Sequence, residues 1–401
     1  MIRQLLSCLS GLLSAATLFL STAEADVTLR VSPQGDASGL VEVEFVLPES
    51  LRSASHLLLV AGDVAIPAQW INQSQGLAAS LVQAKSAEYQ VRGLATLPEK
   101  WAENVVRIEQ SEQALKLLIR DLPVLQYNIA VRQPPEGIDP VYARSGHIHP
   151  LFTPTGEELT SEFPADHAHQ HAVFHAWVNT TFSGRKTDFW NQAGRTGHIE
   201  HVAVHEVSSG PVFGQFQVEL RHSALNADGT VTPVLKELLT VRAWKQPERF
   251  VVDLETRQIC VADSPLTINE YHYGGMAIRG RDNWLQNPES DFLTSEGNNR
   301  TNGNHTRPDW VAMFGPADGT PIHVAILDHP GNFRFPQPVR LHPSKPYFVF
   351  TPPQLGSFEI KPGEEYAARY RYLLADGAPQ KEQLNQDFTS YAKPAVTEII
   401  E

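Results

Sequence analysis

Phe250-Val251-Val252-Asp253-Leu254-Glu255-Thr256-Arg257-Gln258-Ile259-Cys260 is the stretch that decides the fold class. Phe250, Val252, Leu254 and Thr256 are apolar or β-branched, whereas Asp253, Glu255 and Arg257 between them are charged. A period of two sends alternate side chains to opposite faces of a strand, so one face is dry and one meets polar surroundings. The pattern repeats outward from there. Upstream it returns in Leu235–Trp244, Gly214–His222, Leu115–Ile119, Val105–Ile108, Glu88–Arg92, His56–Val60, Leu40–Leu47 and Val27–Val31. Downstream it returns in Ile322–Leu327 and Tyr366–Leu374. Asn226-Ala227-Asp228-Gly229, Asp318-Gly319 and Pro362-Gly363 are turn signals between such runs. Only Leu94–Glu103 and Gln380–Tyr391 read as short helices. The expected fold is therefore all-β, a sandwich.

The composition agrees. The chain has 401 residues, 42% of them hydrophobic and 19% charged, which is globular. A net charge of -13 repels phosphate backbones and gives nucleic-acid binding no support. Arg3, the apolar run Leu5–Leu20 and Ala23-Glu24-Ala25 form the pattern of a cleaved signal peptide over residues 1–25. The mature chain is then expected in the periplasm or outside the cell, with no membrane span after cleavage. Of the two cysteines only Cys260 would remain; on an alternating strand it reads as a buried core thiol. Histidine-poor residues 26–114 read as a small N-terminal β-domain, and 115–401 as the larger sandwich that carries the site.

Histidine is distributed unevenly. Of 16 in the chain, only His56 precedes His147 and none follows His342. His167, His169 and His171 form an H-x-H-x-H run after Asp166; on a strand they would share a face. His147 and His149 form a second pair, and His198, His201 and His205 a third group. Imidazole suits both proton transfer and metal ligation near neutral pH. A second constellation runs from Thr294-Ser295-Glu296-Gly297 to His305-Thr306-Arg307-Pro308-Asp309-Trp310. Further polar and aromatic groups are Asp188-Phe189-Trp190-Asn191, Tyr271-His272-Tyr273 leading to Arg279, and Asp328-His329. Carboxylates, imidazoles, guanidinium groups and indoles together suit a sugar site. Phosphate-binding glycine loops, HExxH, G-x-S-x-G and paired-cysteine metal sites are all missing from the sequence.

Several blocks together resemble a bacterial family of secreted proteins that carries the label methane oxygenase PmoA. They are Tyr142-Ala143-Arg144-Ser145-Gly146-His147-Ile148-His149-Pro150-Leu151, Pro164-Ala165-Asp166-His167-Ala168-His169, Phe182-Ser183-Gly184-Arg185 with Asp188-Phe189-Trp190-Asn191, Tyr273-Gly274-Gly275-Met276, Thr294-Ser295-Glu296-Gly297, and Pro362-Gly363-Glu364 to Arg369-Tyr370-Arg371-Tyr372. The resemblance covers about 115 to 378. It departs from the family's D-H-x-H-H pattern at Gln170. A membrane oxygenase needs several spanning helices, and the sequence beyond the leader has no stretch of that kind. What the resemblance implies is instead a fold similar to the galactose-mutarotase-like β-supersandwich, with a carbohydrate-related role.

The resulting expectation is a sugar-processing enzyme, a lyase, hydrolase or epimerase, acting on an oligosaccharide or glycoside. His167 and His169 would exchange protons with Glu296 and His305 as partners. Arg185, Asn191, Tyr273, Arg279, Arg307 and His329 would hold the sugar, and Trp190 and Trp310 would stack on it. No cofactor is favoured; the alternative is a divalent ion held by His147, His149, His167 and His169. A third reading uses the same residues to bind a glycan without turnover.

Overall fold

A computed structural model of the chain describes residues 27–34, 40–47, 49–71, 75–80, 86–102, 105–246 and 248–400. The leader expected at 1–25 lies outside them. The fold is all-β. Its main body is a sandwich of two large antiparallel sheets of eight strands each. The long sheet runs in the order Gly197–Ser208, Phe213–Leu225, Val231–Trp244, Phe250–Cys260, Glu365–Asp376, Thr320–Asp328, Trp310–Ala317 and Asp291–Thr294. The short sheet runs Val339–Leu341, Tyr347–Phe350, Gly275–Arg279, Val173–Ala176, His147–Leu151, Leu122–Asn128, Ala114–Ile119 and Val106–Gln110. A four-stranded sheet containing Thr180–Phe182 and Leu266–Ile268 flanks them.

The deciding stretch sits where its alternation requires. Phe250, Val252 and Leu254 join Phe216, Val218, Val241, Ile326 and Tyr370 in one core with Leu117, Tyr127, Ile148, Met276 and Phe348 of the facing sheet. Burying such side chains contributes roughly 1.5–3 kcal/mol each. The outer face of the long sheet is not bare. Val251, Trp244, Trp310, Ala325 and Leu373 form a second core with Leu384 and Tyr391 of the helix Lys381–Ala392. The other expected helix shrinks to Glu99–Ala102.

A seven-stranded sheet forms the N-terminal unit, and it takes in Val396–Ile400 from the far end of the chain, paired with Val27–Ser32. Sheet membership changes before position 114. Val106–Gln110 pairs with Ala114–Ile119 across the turn at Ser111, so both arms of that hairpin belong to the short sheet. Cys260 is buried and free, as its strand position implies. Among the described residues, no helix is long and apolar enough to cross a membrane.

The N-terminal unit is tied to the long sheet through a buried cation. The Arg371 side chain is 2% exposed; its Nε donates to Asp253 Oδ1 at 2.7 Å and its Nη2 to Asp253 Oδ2 at 2.7 Å. Nη2 also donates to Glu42, and the guanidinium lies over the Tyr391 ring at 4.5 Å. Removing the guanidinium leaves the half-buried Asp253 and Glu42 carboxylates without their cation, so Arg371→Leu should destabilise the protein by about 3–5 kcal/mol in urea unfolding. A loss below ~1 kcal/mol would mean that the pairing is not structural.

Asp328 ends its strand fully buried, accepting from Asn332 Nδ2 at 2.6 Å and the Gln337 amide at 2.7 Å. Burial pushes its carboxyl up to about 7, with Asp309 adding to the rise and the two donors opposing it. Above its unfolded-state value the native state holds the extra proton, so this contribution to stability is lost as pH rises through 7. The stability margin of the native protein over Asp328→Asn should narrow between about pH 5 and about pH 8 in denaturation curves. A margin constant with pH would contradict the assignment.

Candidate functional site at the loop end of the short sheet

Three loops meet at one end of the short sheet, those following Leu151, Arg279 and Leu341. The chain from 152 to 172 folds back along this end through bridges Phe152 to Glu158, Thr160 to Gly280 and Glu162 to His171. Phe163 and Ala172 adopt left-handed φ of 53° and 54°, a sparsely populated conformation for residues with a side chain. The H-x-H-x-H run is therefore not a strand. It is a pair of turns at 165–166 and 168–169. The expected shared face does not form: His171 is buried inward, whereas His167 and His169 remain half-buried on the turns.

The inward side of this end holds His147, Glu162 and His171. Their donor atoms lie within 4.8 Å of one another, and no other such group of His, Cys, Asp or Glu forms among the described residues. His147 Nε2 lies 2.5 Å from Glu162 Oε1. His171 Nε2 donates to Gln192 Oε1 at 2.7 Å, and Gln192 Nε2 donates in turn to the Ala143 carbonyl at 3.2 Å. Burial holds both imidazoles below their ordinary value, with Arg144 adding to the effect on His171. Burial alone would raise Glu162, but its hydrogen bond with His147, helped by the charge of Arg132, holds it below the usual carboxylate range. Neutral imidazoles and a carboxylate are a donor set that a divalent ion accepts.

A second cluster ties the loops together. The Arg279 side chain is 0% exposed. Its Nη2 donates to Asp166 Oδ1 at 2.9 Å and its Nη1 to Gln170 Oε1 at 2.9 Å. Lys345 Nζ contacts Asp166 Oδ2 at 2.8 Å and donates to His167 Nδ1 at 2.6 Å. Burial opposes ionisation of Asp166, yet Arg279 and Lys345 hold it well below its ordinary value. Burial and neighbouring positive charge keep His169 and His342 near 4. Three half-buried neutral imidazoles thus surround one lysine, with ring centroids 5.3 Å apart for His167 and His169, and 6.3 Å for His167 and His342.

The outward side is a cavity of about 450 Å³ lined by His149, Glu158, Thr160, Ser161, Glu162, Arg281, Asp282 and Asn283. Every lining side chain is polar. His149 Nδ1 is held by Thr160 Oγ1 at 3.1 Å, which leaves Nε2 3.6 Å from Glu158 Oε1. Burial pushes Glu158 up and lowers His149 to about 4. Arg281 Nη1 donates to Glu157 at 2.8 Å and forms one wall.

The remaining expected residues lie elsewhere or play other parts. Trp190 and Trp310 are 0% exposed, so neither can stack on a sugar. Trp190 packs at 4.6 Å on Phe174, and Trp310 donates Nε1 to Asn385 Oδ1 at 3.0 Å. Their large apolar rings went to the cores flanking the polar loops. Among the described residues, no hydrogen bond or ion pair joins Glu296 to His167 or His169; exposed Glu296 accepts from Asn298 Nδ2 at 2.9 Å. His305 is exposed and lies near Arg340. Arg307 Nε donates to the Pro336 carbonyl at 2.7 Å and pins that loop. Arg185 donates to Asn226 Oδ1 at 2.5 Å, and Asn191 to Asp188 Oδ2 at 2.8 Å. Tyr273 packs on Trp190 at 5.3 Å. His329 lies against Tyr391 in a different cavity of about 320 Å³, beside Glu42, Asp253 and Arg369. The four-histidine metal set does not assemble either. His147 turns to Glu162, His149 to Thr160 and Glu158, and His167 to Lys345.

Glu158, Glu162 and Lys345 were not among the expected residues. Glu162 lies five positions before His167, within reach of a search for carboxylates near the histidine run. Lys345 reaches His167 from 178 positions away, and nothing local marks it.

No curated protein matches the chain. Among solved structures, a glycosyl hydrolase family 38 protein from Enterococcus faecalis shares 10% identity over 94% of this chain and 47% of its own, with a TM-score of 0.45. A galactose mutarotase related enzyme from Lactobacillus acidophilus shares 10% over 69% of this chain and 100% of its own, at 0.32. A heparinase III shares 10% over 77% and 43%, at 0.30. The chain thus spans about half the length of the first. Likeness at this level bears on neither activity nor substrate. The sequence itself is placed by residues 114–389, which match a family of unknown function, DUF6807, across both large sheets and the loop end; the chain belongs to that family.

Proposed function

We propose that the protein is a sugar-processing enzyme whose chemistry takes place in the cavity beside His149. One observation carries this reading: a cavity of about 450 Å³ with an all-polar lining has an imidazole and a carboxyl 3.6 Å apart in its wall. A polar lining suits a hydroxyl-rich ligand, and the volume falls within the range of small-molecule sites. His149 is oriented by Thr160, so its free nitrogen and the Glu158 carboxyl face the same space. Two adjacent groups that can each carry a proton serve a reaction in which one proton leaves the substrate and another is returned. Arg281, Asn283 and Ser161 supply donors for hydroxyl or carboxylate oxygens. The reading keeps the expected reaction classes, lyase, hydrolase or epimerase, and moves the proton carriers from His169 and Glu296 to His149 and Glu158. The leader pattern at 1–25 supports a periplasmic or extracellular place of action.

The test is turnover on a panel of oligosaccharides and glycosides, read by product chromatography and by proton exchange in NMR. Glu158→Gln and His149→Ala should each lower kcat by roughly 100-fold or more, with unfolding curves unchanged. Arg281→Met should act mainly on KM. Full turnover in both proton-carrier variants would contradict the assignment, and unaltered binding without any product would favour a glycan-binding protein.

A further inference from the structure

We infer that His147, Glu162 and His171 bind a divalent transition-metal ion, with zinc the best fit to two imidazoles and one carboxylate. The inference does not depend on what the neighbouring cavity turns over. Three observations carry it. The first is convergence: the three donor atoms come from a strand, its returning loop and the bridge partner of that loop, yet lie within 4.8 Å of one another. Two histidines and a glutamate form a three-ligand set that leaves a further position for water or substrate.

The second observation is unspent hydrogen-bonding capacity. The Gln192 amide is oriented by its bond to the Ala143 carbonyl, so its oxygen faces His171 and requires Nε2 to carry the proton. His171 Nδ1 then carries a lone pair, and among the described residues this buried nitrogen has no partner. His147 is in a similar position. Glu162 Oε1 asks its Nε2 to donate, whereas Asn128 Nδ2, 3.2 Å away, asks it to accept. Asn128 cannot easily turn, because its oxygen accepts from Gln126 Nε2 at 2.8 Å and its nitrogen donates to the His149 carbonyl at 3.0 Å. Nδ1 of His147 is likewise buried without a partner among the described residues. Buried lone pairs without donors are costly in a finished core, and a bound cation satisfies them.

The third observation is access and outer support. Glu162 is both a member of the group and part of the cavity lining, so the group borders a cavity that opens to solvent. Gln192 fixes one imidazole from outside, the arrangement by which metal ligands are commonly oriented. Arg144 and Arg132 bring positive charge close; the charge of Glu237 offsets that of Arg144 in part, and Arg132 lies on the exposed side, 3.4 Å from Glu162 Oε2.

The test uses the full chain, purified without chelator and analysed for metal by elemental mass spectrometry, then stripped and titrated with zinc by calorimetry. One equivalent bound with a Kd below roughly 1 µM is expected. Glu162→Gln and His171→Ala should weaken zinc binding by about 100-fold or more, and the gentler Gln192→Ala, which retains all three donors, by roughly 10- to 100-fold. His329→Ala, in the other cavity, should bind as the native protein does. No uptake at about 100 µM zinc would overturn the inference. So would binding that survives both Glu162→Gln and Gln192→Ala. Because the readout is metal and not product, a failure here leaves the proton-transfer reading to its own experiment.

Discussion

A charged guanidinium at the last position of a central strand, with none of its side chain exposed, sets the terms for the whole loop end. Arg279 is tenable there because Asp166 receives it with two oxygens and Gln170 with a third. A buried cation without such partners would cost several kcal/mol. Satisfying it draws the 152–172 segment back over the sheet, and Lys345 joins the same carboxylate from the opposite loop. Three loops are thereby fixed by one ion cluster. Glu162 and His171 follow from it, since they bridge within the returning segment, and His149 is oriented by Thr160 from the same segment.

The sandwich interior continues this polar character. His222 Nε2 donates to Glu237 Oε2 at 2.6 Å, and Thr256 Oγ1 donates to Glu237 Oε1 at 2.7 Å, all within the core. His175 and Trp177 meet there on Gln258. A fold selected for stability alone would gain from apolar replacements at such positions. At one end of the short sheet His147 and His171 each keep a buried ring nitrogen without a partner among the described residues. The opposite arrangement holds near Arg371, where charges are paired and join the N-terminal unit to the long sheet.

Much of this architecture is legible in the chain. Phe250–Cys260 is a strand because its dry and charged faces alternate, and the neighbouring runs pair with it in both directions. Gly197–Ser208 is a strand whose sequence carries no clear alternation. It lies at the sheet edge with most residues half-exposed, so its histidines sit on both faces and no period of two survives. At the site, His147, His149, Asp166 and Arg279 stand out by residue type and position. What cannot be read locally is the pairing: His147 with Glu162 and His167 with Lys345 depend on where loops return. The turn at 165–169 likewise separates three histidines that an extended backbone would have aligned. Trp190 and Trp310 show the converse, since a ring next to polar residues in sequence went to the core in space.

On the proposed function the active surface lies at the loop end and not in the groove between the N-terminal unit and the long sheet. Amide hydrogen exchange with and without a mixed oligosaccharide pool separates the two most directly. Binding at the loop end should slow exchange in the segments around Glu158 to Glu162 and Arg281 to Asn283, and leave the segments around His329, Arg369 and Tyr391 unchanged. Slowing confined to the latter group, or none anywhere at millimolar saccharide, would contradict it.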